Sequence, residues 1–333
     1  MPLLNTYVPG LKYGAKILPS EIIGANGFSP WTNFFYVDAD NGSDSNVGNS
    51  PSTAFATVAA GVAASAAGGT VAIKARKTVA LATDPTSYTE NVVIPNGTSE
   101  LTLFGYGTGR VQNGLPQLKV GTTTTQAIIT VRAPGCGIFN LGINGISATG
   151  GGILLDDDSS TKIANGTTIQ NSHFKNCVGT SATDCRTGGA INWSANGGAW
   201  QVLISDNQFY KNVGDVVLKG TAQTVPQDVL IENNRFQGLA TTTDCHLYLA
   251  GGSGMASITV NGNIFSDVLP SLSSGSIVRY VDMTGCTGMF SNNCVGGAYT
   301  TTGFGAAKVA AKIPTTVGIS CNYSDSGLIV REA

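Results

Sequence analysis

The sequence is poor in charge. Only 11% of its 333 residues are Asp, Glu, Lys or Arg, where a soluble domain commonly has roughly a quarter. Long surface helices need charge on their wet side and are excluded as the main architecture. Disorder is excluded as well, because 42% of the residues are hydrophobic and ask for burial. There is no basic stripe, and the formal net charge is -2, so nucleic acid is not an expected partner. No apolar run approaches the roughly 20 residues that span a bilayer, so neither is a membrane. The start, Met1-Pro2-Leu3-Leu4-Asn5, lacks the basic and apolar segments of a signal peptide. The expectation is a chain made and folded in a cytoplasm. Seven cysteines, with no C-x-x-C pair, give neither a zinc knuckle nor a disulfide framework. Cys177, Cys245 and the others read as small buried hydrophobes. No cofactor and no metal are expected.

What the chain has instead is Thr, Ser, Asn and 44 Gly. Thr suits strands, and Asn, Ser and Gly suit tight turns, so the composition points to an all-β protein rich in turns. Residues 1–33 stand apart. They carry Pro2, Pro9, Pro19 and Pro30 among the apolar Tyr7, Leu11, Ile17, Leu18, Ile22, Ile23 and Trp31. This arm is too apolar for an idle tail and too rich in proline for regular structure. It reads as a docking arm, packed on its own domain or on a neighbouring subunit.

Residues 34–69 read as a strand, Phe34–Val37, then a turn-rich loop and a short helix. Acidic residues at alternate positions, Asp38, Asp40 and Asp44, suggest a calcium loop. The late bidentate Glu of that motif is missing, and Asx turns explain the pattern. Thr57 is placed to cap a helix over 57–64, Gly68-Gly69 ends it, and Thr70–Lys74 reads as a strand.

From residue 70 to 298 the sequence repeats. The signature apolar-x-x-Asn-x-apolar occurs around Asn207, Asn234, Asn263 and Asn293, with Ser172 in the Asn slot of an earlier copy. The steps from 172 to 293 are 35, 27, 29 and 30 residues. Older relatives centre on Leu101–Tyr106 and Ile138–Ile143. Each repeat holds a second strand with one apolar set of alternate positions: Ile153/Leu155, Ile191/Trp193, Val216/Leu218, Leu247/Leu249 and Val278/Tyr280. The other set includes Asn192, Asp215, Lys219, His246 and Arg279 and is expected to face water. No coil of about 30 residues buries its own apolar side, but stacked coils bury one another. The fold expected is therefore a right-handed, single-stranded parallel β-helix. An Asn ladder (Ser172, Asn207, Asn234, Asn263, Asn293) would mark one turn, and the helix would cap the start. Residues 299–333 lose the repeat and read as a C-terminal cap or association segment.

The run from Tyr36-Val37-Asp38 through Asn41–Gly48, Ala54–Val58 and Gly68–Val71 resembles the opening of pectate-lyase-like right-handed β-helix proteins. Tyr88–Pro95 and Leu101–Gly107 continue the likeness. The resemblance implies the fold. It leaves activity open, because this family spans lyases, glycoside hydrolases, adhesins, and bacteriophage tailspikes and virion decoration proteins.

Catalytic chemistry in such a fold needs carboxylates on the coil exterior. Asp156-Asp157-Asp158 is the densest acidic spot, but adjacent strand residues face opposite ways, so it reads as a solvated turn. The column Asp215, His246 and Ile277, with Tyr248 and Arg279 beside it, offers an Asp–His pair for acid–base work. Surface pairing, with Arg279 stacked over Tyr248, is the plainer reading. Trp193 falls on the inward set, and Trp200 is a candidate for stacking on a sugar. The function expected is a structural virion protein of a bacteriophage. It would be a homotrimer docked by its arm on a capsid or tail protein, with host-surface glycan as a further partner. The alternative is a lyase or hydrolase acting on host polysaccharide.

Overall fold

The computed structural model describes residues 33–77, 86–107, 114–146, 148–157, 159, 161–182, 184–194, 198–218, 226–238, 245–249, 255–267, 281–297, 313–324 and 327–329. The arm residues Tyr7, Leu11, Ile17, Leu18, Ile22, Ile23 and Trp31, together with Asp158, Lys219 and Arg279, lie outside them.

The described strands form three long sheets of ten, seven and ten strands. Each coil contributes one strand to each sheet in turn, and the strands of successive coils pair in parallel. The coil around Asn207 shows the plan. Leu203–Ser205 lies on the first face, Gln208–Tyr210 on the second and Gly214–Leu218 on the third. These pair with Gln227–Glu232, Arg235–Gln237 and Cys245–Tyr248 of the next coil. The chain is a right-handed parallel β-helix, as the repeat required. Among the described strands one pair is antiparallel, Asn322–Ser324 with Gly327–Ile329, and it lies at the end of the second face.

The corner between the first two faces explains the Asn slot. The residue before it is left-handed in coil after coil: Asn171, Asp206, Asn233 and Asn292 have φ of 52°, 57°, 56° and 54°. Asn and Asp tolerate that region, which bulky side chains avoid. The slot residue then turns its amide inward along the stack. Asn207 Oδ1 accepts from the Ser172 backbone amide at 2.9 Å, and Asn234 Oδ1 accepts from Asn207 N at 3.0 Å. Asn263 and Asn293 repeat the bond from Asn234 N and Asn263 N. Each amide also donates to a backbone carbonyl of the preceding coil, Asn234 Nδ2 to Ile204 O at 2.9 Å for example. The ladder goes one rung past the point where the signature fades, because Asn322 Oδ1 accepts from Asn293 N at 3.0 Å. Residues 313–324 thus carry the stacking into the stretch that the sequence read as a C-terminal cap or association segment. Leu141 fills the same slot one coil before Ser172, where its amide donates to Ser172 Oγ.

Two residues after the slot, the side chains point into the core. Phe174, Phe209, Phe236 and Phe265 stack ring on ring, with centroids 5.0, 4.8 and 4.7 Å apart. The first face lines the core with Val71, Leu103, Ile138, Ile169, Ile204, Ile231 and Val260, all fully buried.

The start of the stack is held by polar contacts. The helix is Val58–Ala64, and Thr57 Oγ1 accepts from Ala60 N at 3.1 Å. The Glu90 carboxylate accepts from Val58 N and Ala59 N, and Asp44 from Ala56 N and Thr57 N. Asp38 makes the expected Asx turn to Asp40 N and holds Asn41 and Lys74. Burial opposes ionisation of Asp38, yet these partners outweigh it and its pKa lies below the usual value.

Candidate functional site

The structure brings Asp215 and His246 together, as their register suggested. His246 Nδ1 lies 2.5 Å from Asp215 Oδ2. Their position differs from the expectation. Asp215 is 1% exposed and His246 is fully buried. The His246 ring sits among Phe236 and Phe265, with centroids 5.6 and 5.8 Å away. Asn212 Nδ2 donates to the other Asp215 oxygen at 2.8 Å, and Asn212 Oδ1 accepts from Cys177 N.

Strict alternation fails here because the chain is leaving a corner. Gly152 and Ala190 occupy the same column on earlier coils. A β-carbon on Gly152 would point at Ile143 Cγ2 and Cys177 Sγ, both in the core. Two consecutive residues, Asp215 and Val216, therefore both face inward. The same holds for His246 and Leu247. Asn192, also expected in water, is buried on the outer side, where its amide holds Gly189 and the Ile153 carbonyl. Burial pushes the Asp215 pKa up, and His246 and Asn212 counter it only in part. A pair so enclosed orders the corner and has no path to a polymer substrate.

Tyr248 lies apart from this pair. Its register partner on the next coil is Asp282, while Leu247 pairs with Val281. The sequence had paired these positions with Val278, Arg279 and Tyr280, so the coil is offset from the expected register. Residue 279, and with it the expected stack of Arg279 on Tyr248, lies outside the described residues. Another arginine comes near instead. Arg186 holds Asp184, donating from Nε to both carboxylate oxygens and from Nη2 to Oδ2. Burial first, then the Asp282 carboxylate, raises the Tyr248 pKa, and Arg186 opposes the shift. Asp282 accepts from Thr284 Oγ1 at 2.7 Å. Asp184, Arg186 and Asp282 were missed by sequence reasoning. Asp184 and Arg186 sit at a turn between strands, and Asp282 ends the two-residue strand Val281–Asp282, so no period singles them out.

The remaining candidates divide. Trp193 is in the core, its Nε1 donating to Ala199 O. Trp200 is 42% exposed at a corner leading into the first face. Asp156 is buried against Arg132 and Lys162, so it serves an ion pair and not a bare acidic turn. Of the cysteines read as buried, Cys294 and Cys321 are exposed. Among the described residues no group of three His, Cys, Asp or Glu is placed to hold a metal ion. No described helix is long and apolar enough to cross a membrane.

The outer side of the second face carries a continuous polar column. Lys119, Asn144, Lys175, Tyr210 and Gln237 lie in register on five successive coils. Lys211 sits over the Tyr210 ring, 5.4 Å from its centroid. Gln208 beside it donates to Gln237 Oε1 at 2.8 Å. Parallel strands are spaced about 4.8 Å apart, so the column runs roughly 19 Å. Lys119, Lys175, Tyr210 and Gln237 are half-buried in it, while Asn144 is buried with its Oδ1 accepting from Ile146 N and Asn176 Nδ2.

No protein-family model matches the chain, and no curated protein is significantly similar in sequence. Solved structures share its architecture. Escherichia coli YbhC matches with a TM-score of 0.51 at 12% identity, over 96% of this chain and 90% of that one. A GH136 lacto-N-biosidase from Eubacterium ramulus matches with 0.39 at 11% identity, over 88% and 67%. The Streptococcus pneumoniae surface protein and adhesin PfbA matches with 0.39 at 13% identity, over 79% and 75%. At 12% identity the likeness to YbhC is one of fold alone.

Proposed function

We propose that this chain is a non-catalytic β-helical rod that adheres to a surface polysaccharide as a structural component of a bacteriophage particle. The supporting observation is the outer column of the second face. Two lysines, a tyrosine ring and a glutamine amide line up there at whole-coil spacings, which suits hydroxyl-rich polymers that offer hydrogen bonds and a stacking face. The Asp–His pair that would have argued for turnover is enclosed in the core. The virion setting rests on the resemblance of residues 36–107 and on the apolar arm of residues 1–33, which would dock on a capsid or tail protein. A homotrimer is the assembly proposed.

The test uses the full-length protein and a panel of purified bacterial surface polysaccharides. Binding to one of them without release of reducing or unsaturated ends supports the reading. Tyr210→Ala with Lys175→Ala is expected to weaken that binding about tenfold or more, since a lost stacking contact and a lost charged hydrogen bond are each worth about 1 kcal/mol or more. Steady release of sugar ends by the wild type would overturn it in favour of an enzyme. Deleting residues 1–33 is expected to abolish attachment to the particle while leaving polysaccharide binding intact.

A further inference from the structure

Beyond the main core, a separate apolar cluster lies on the third face. It consists of Cys185, Val213 and Cys245, with Val178 and Tyr248 packed against them. Cys185 begins the 3-10 turn Cys185–Thr187, and Cys245 opens the strand Cys245–Tyr248. Both are thiols in this structure. Two observations put them side by side. Cys245 is the register partner of Gly214, and a β-carbon on Gly214 would lie 3.4 Å from Cys185 Cβ. Cys185 and Cys245 also belong to the same buried cluster, with Val213 as their common neighbour. Cys245 stands one strand spacing, about 4.8 Å, from the Gly214 position that Cys185 approaches, and a disulfide holds its β-carbons about 3.5–4.5 Å apart, so closing the bridge draws the turn toward Cys245.

We propose that Cys185 and Cys245 form a disulfide that staples the turn carrying Arg186 and Asp184 onto the third face when the protein enters an oxidising environment. The two halves of the pair have different roles. Cys185 is 6% exposed and Cys245 1%. Burial also pushes the Cys245 thiol well above its usual pKa. Cys185 therefore reacts first. It loses its proton and attacks one sulfur of a low-molecular-weight disulfide such as oxidised glutathione, expelling one small thiol. Cys245 loses its proton and displaces the second small thiol, closing the bridge. Two protein thiols are oxidised, and one reagent disulfide is reduced to two thiols that take up the two protons. The sequence hides this pair, because the residues belong to different coils and only the register of Gly214 brings them together.

The bridge needs no glycan, so its test is independent of the adhesive function. Full-length protein is incubated with oxidised glutathione or with dithiothreitol, denatured, alkylated, digested and weighed. The expected result is protection of two of the seven thiols, with the Cys185 and Cys245 peptides linked and two hydrogens lighter. The oxidised protein should melt a few degrees higher than the reduced one. Cys185→Ser should remove both the linked peptide and the shift. Full alkylation of all seven thiols, stable glutathione adducts at Cys185, or bridges confined to the exposed Cys294 and Cys321 would each overturn the proposal.

Discussion

At the residue scale, the Asn slot shows how one side chain does several jobs. Asn234 accepts from Asn207 N and Asn207 Nδ2, donates to Ile204 O, and donates on to Asn263 Oδ1. Replacing it with Ala takes this partner from the buried Asn207 N and Ile204 O of the preceding coil and breaks the side-chain ladder on both sides. Asn234→Ala is expected to cost about 3 kcal/mol in equilibrium unfolding, more than one average hydrogen bond. Phe236→Ala should cost about 3–5 kcal/mol, because a ring clasped between Phe209 and Phe265 leaves a cavity that rigid neighbours do not fill. His173 offers a different signal. It is 2% exposed on the second face. Burial, with a smaller push from Lys175, lowers its pKa to about 4. An unfolded histidine takes a proton near pH 6.5, which the folded one refuses until about pH 4. The unfolded state then holds more protons across that window, so stability falls as the pH drops through it. His173→Gln is expected to flatten the decline between pH 6.5 and 4, read as the urea midpoint against pH.

At the element scale, the question is how much the sequence disclosed. The capping helix was legible because Thr57 and the small apolar residues after it follow local rules. The Asn corner was legible because its residue types answer a backbone demand that recurs in every coil. The inward column of Gly152, Ala190, Asp215 and His246 was not. Alternation assumes a straight strand, and here the chain is still turning out of a corner. The coil near Val281 was misread by three residues for a related reason: apolar residues cluster there with no Asn to anchor the register. The last rung at Asn322 stayed hidden because a left-handed Cys321 stands where Asn or Asp usually does. Gly61 belongs to this scale too. A β-carbon there would meet Val71 Cγ1 at 2.7 Å and Val37 Cγ2 at 3.0 Å, so the helix lies on the first strands only because that position is bare. Gly61→Ala should lift the helix and destabilise the protein by about 1–3 kcal/mol, despite the better helix propensity of Ala. Differential scanning calorimetry would show the lowered Tm.

At the scale of the whole molecule, stability is a sum of coil-to-coil terms and not the property of one central core. Side-chain ladders cross every described boundary from Leu141 to Asn322 with the same geometry. Their regularity has a practical consequence. Excising residues 264–293 would join Asn263 to Cys294 and carry Asn322 directly onto Asn263. The shortened chain keeps both termini, the helix and the Asp215–His246 corner, and it loses about 4.8 Å of reach. Length in this molecule is thus a modular quantity, adjustable in whole steps like the marks on a ruler, while the tools fixed at either end stay as they are.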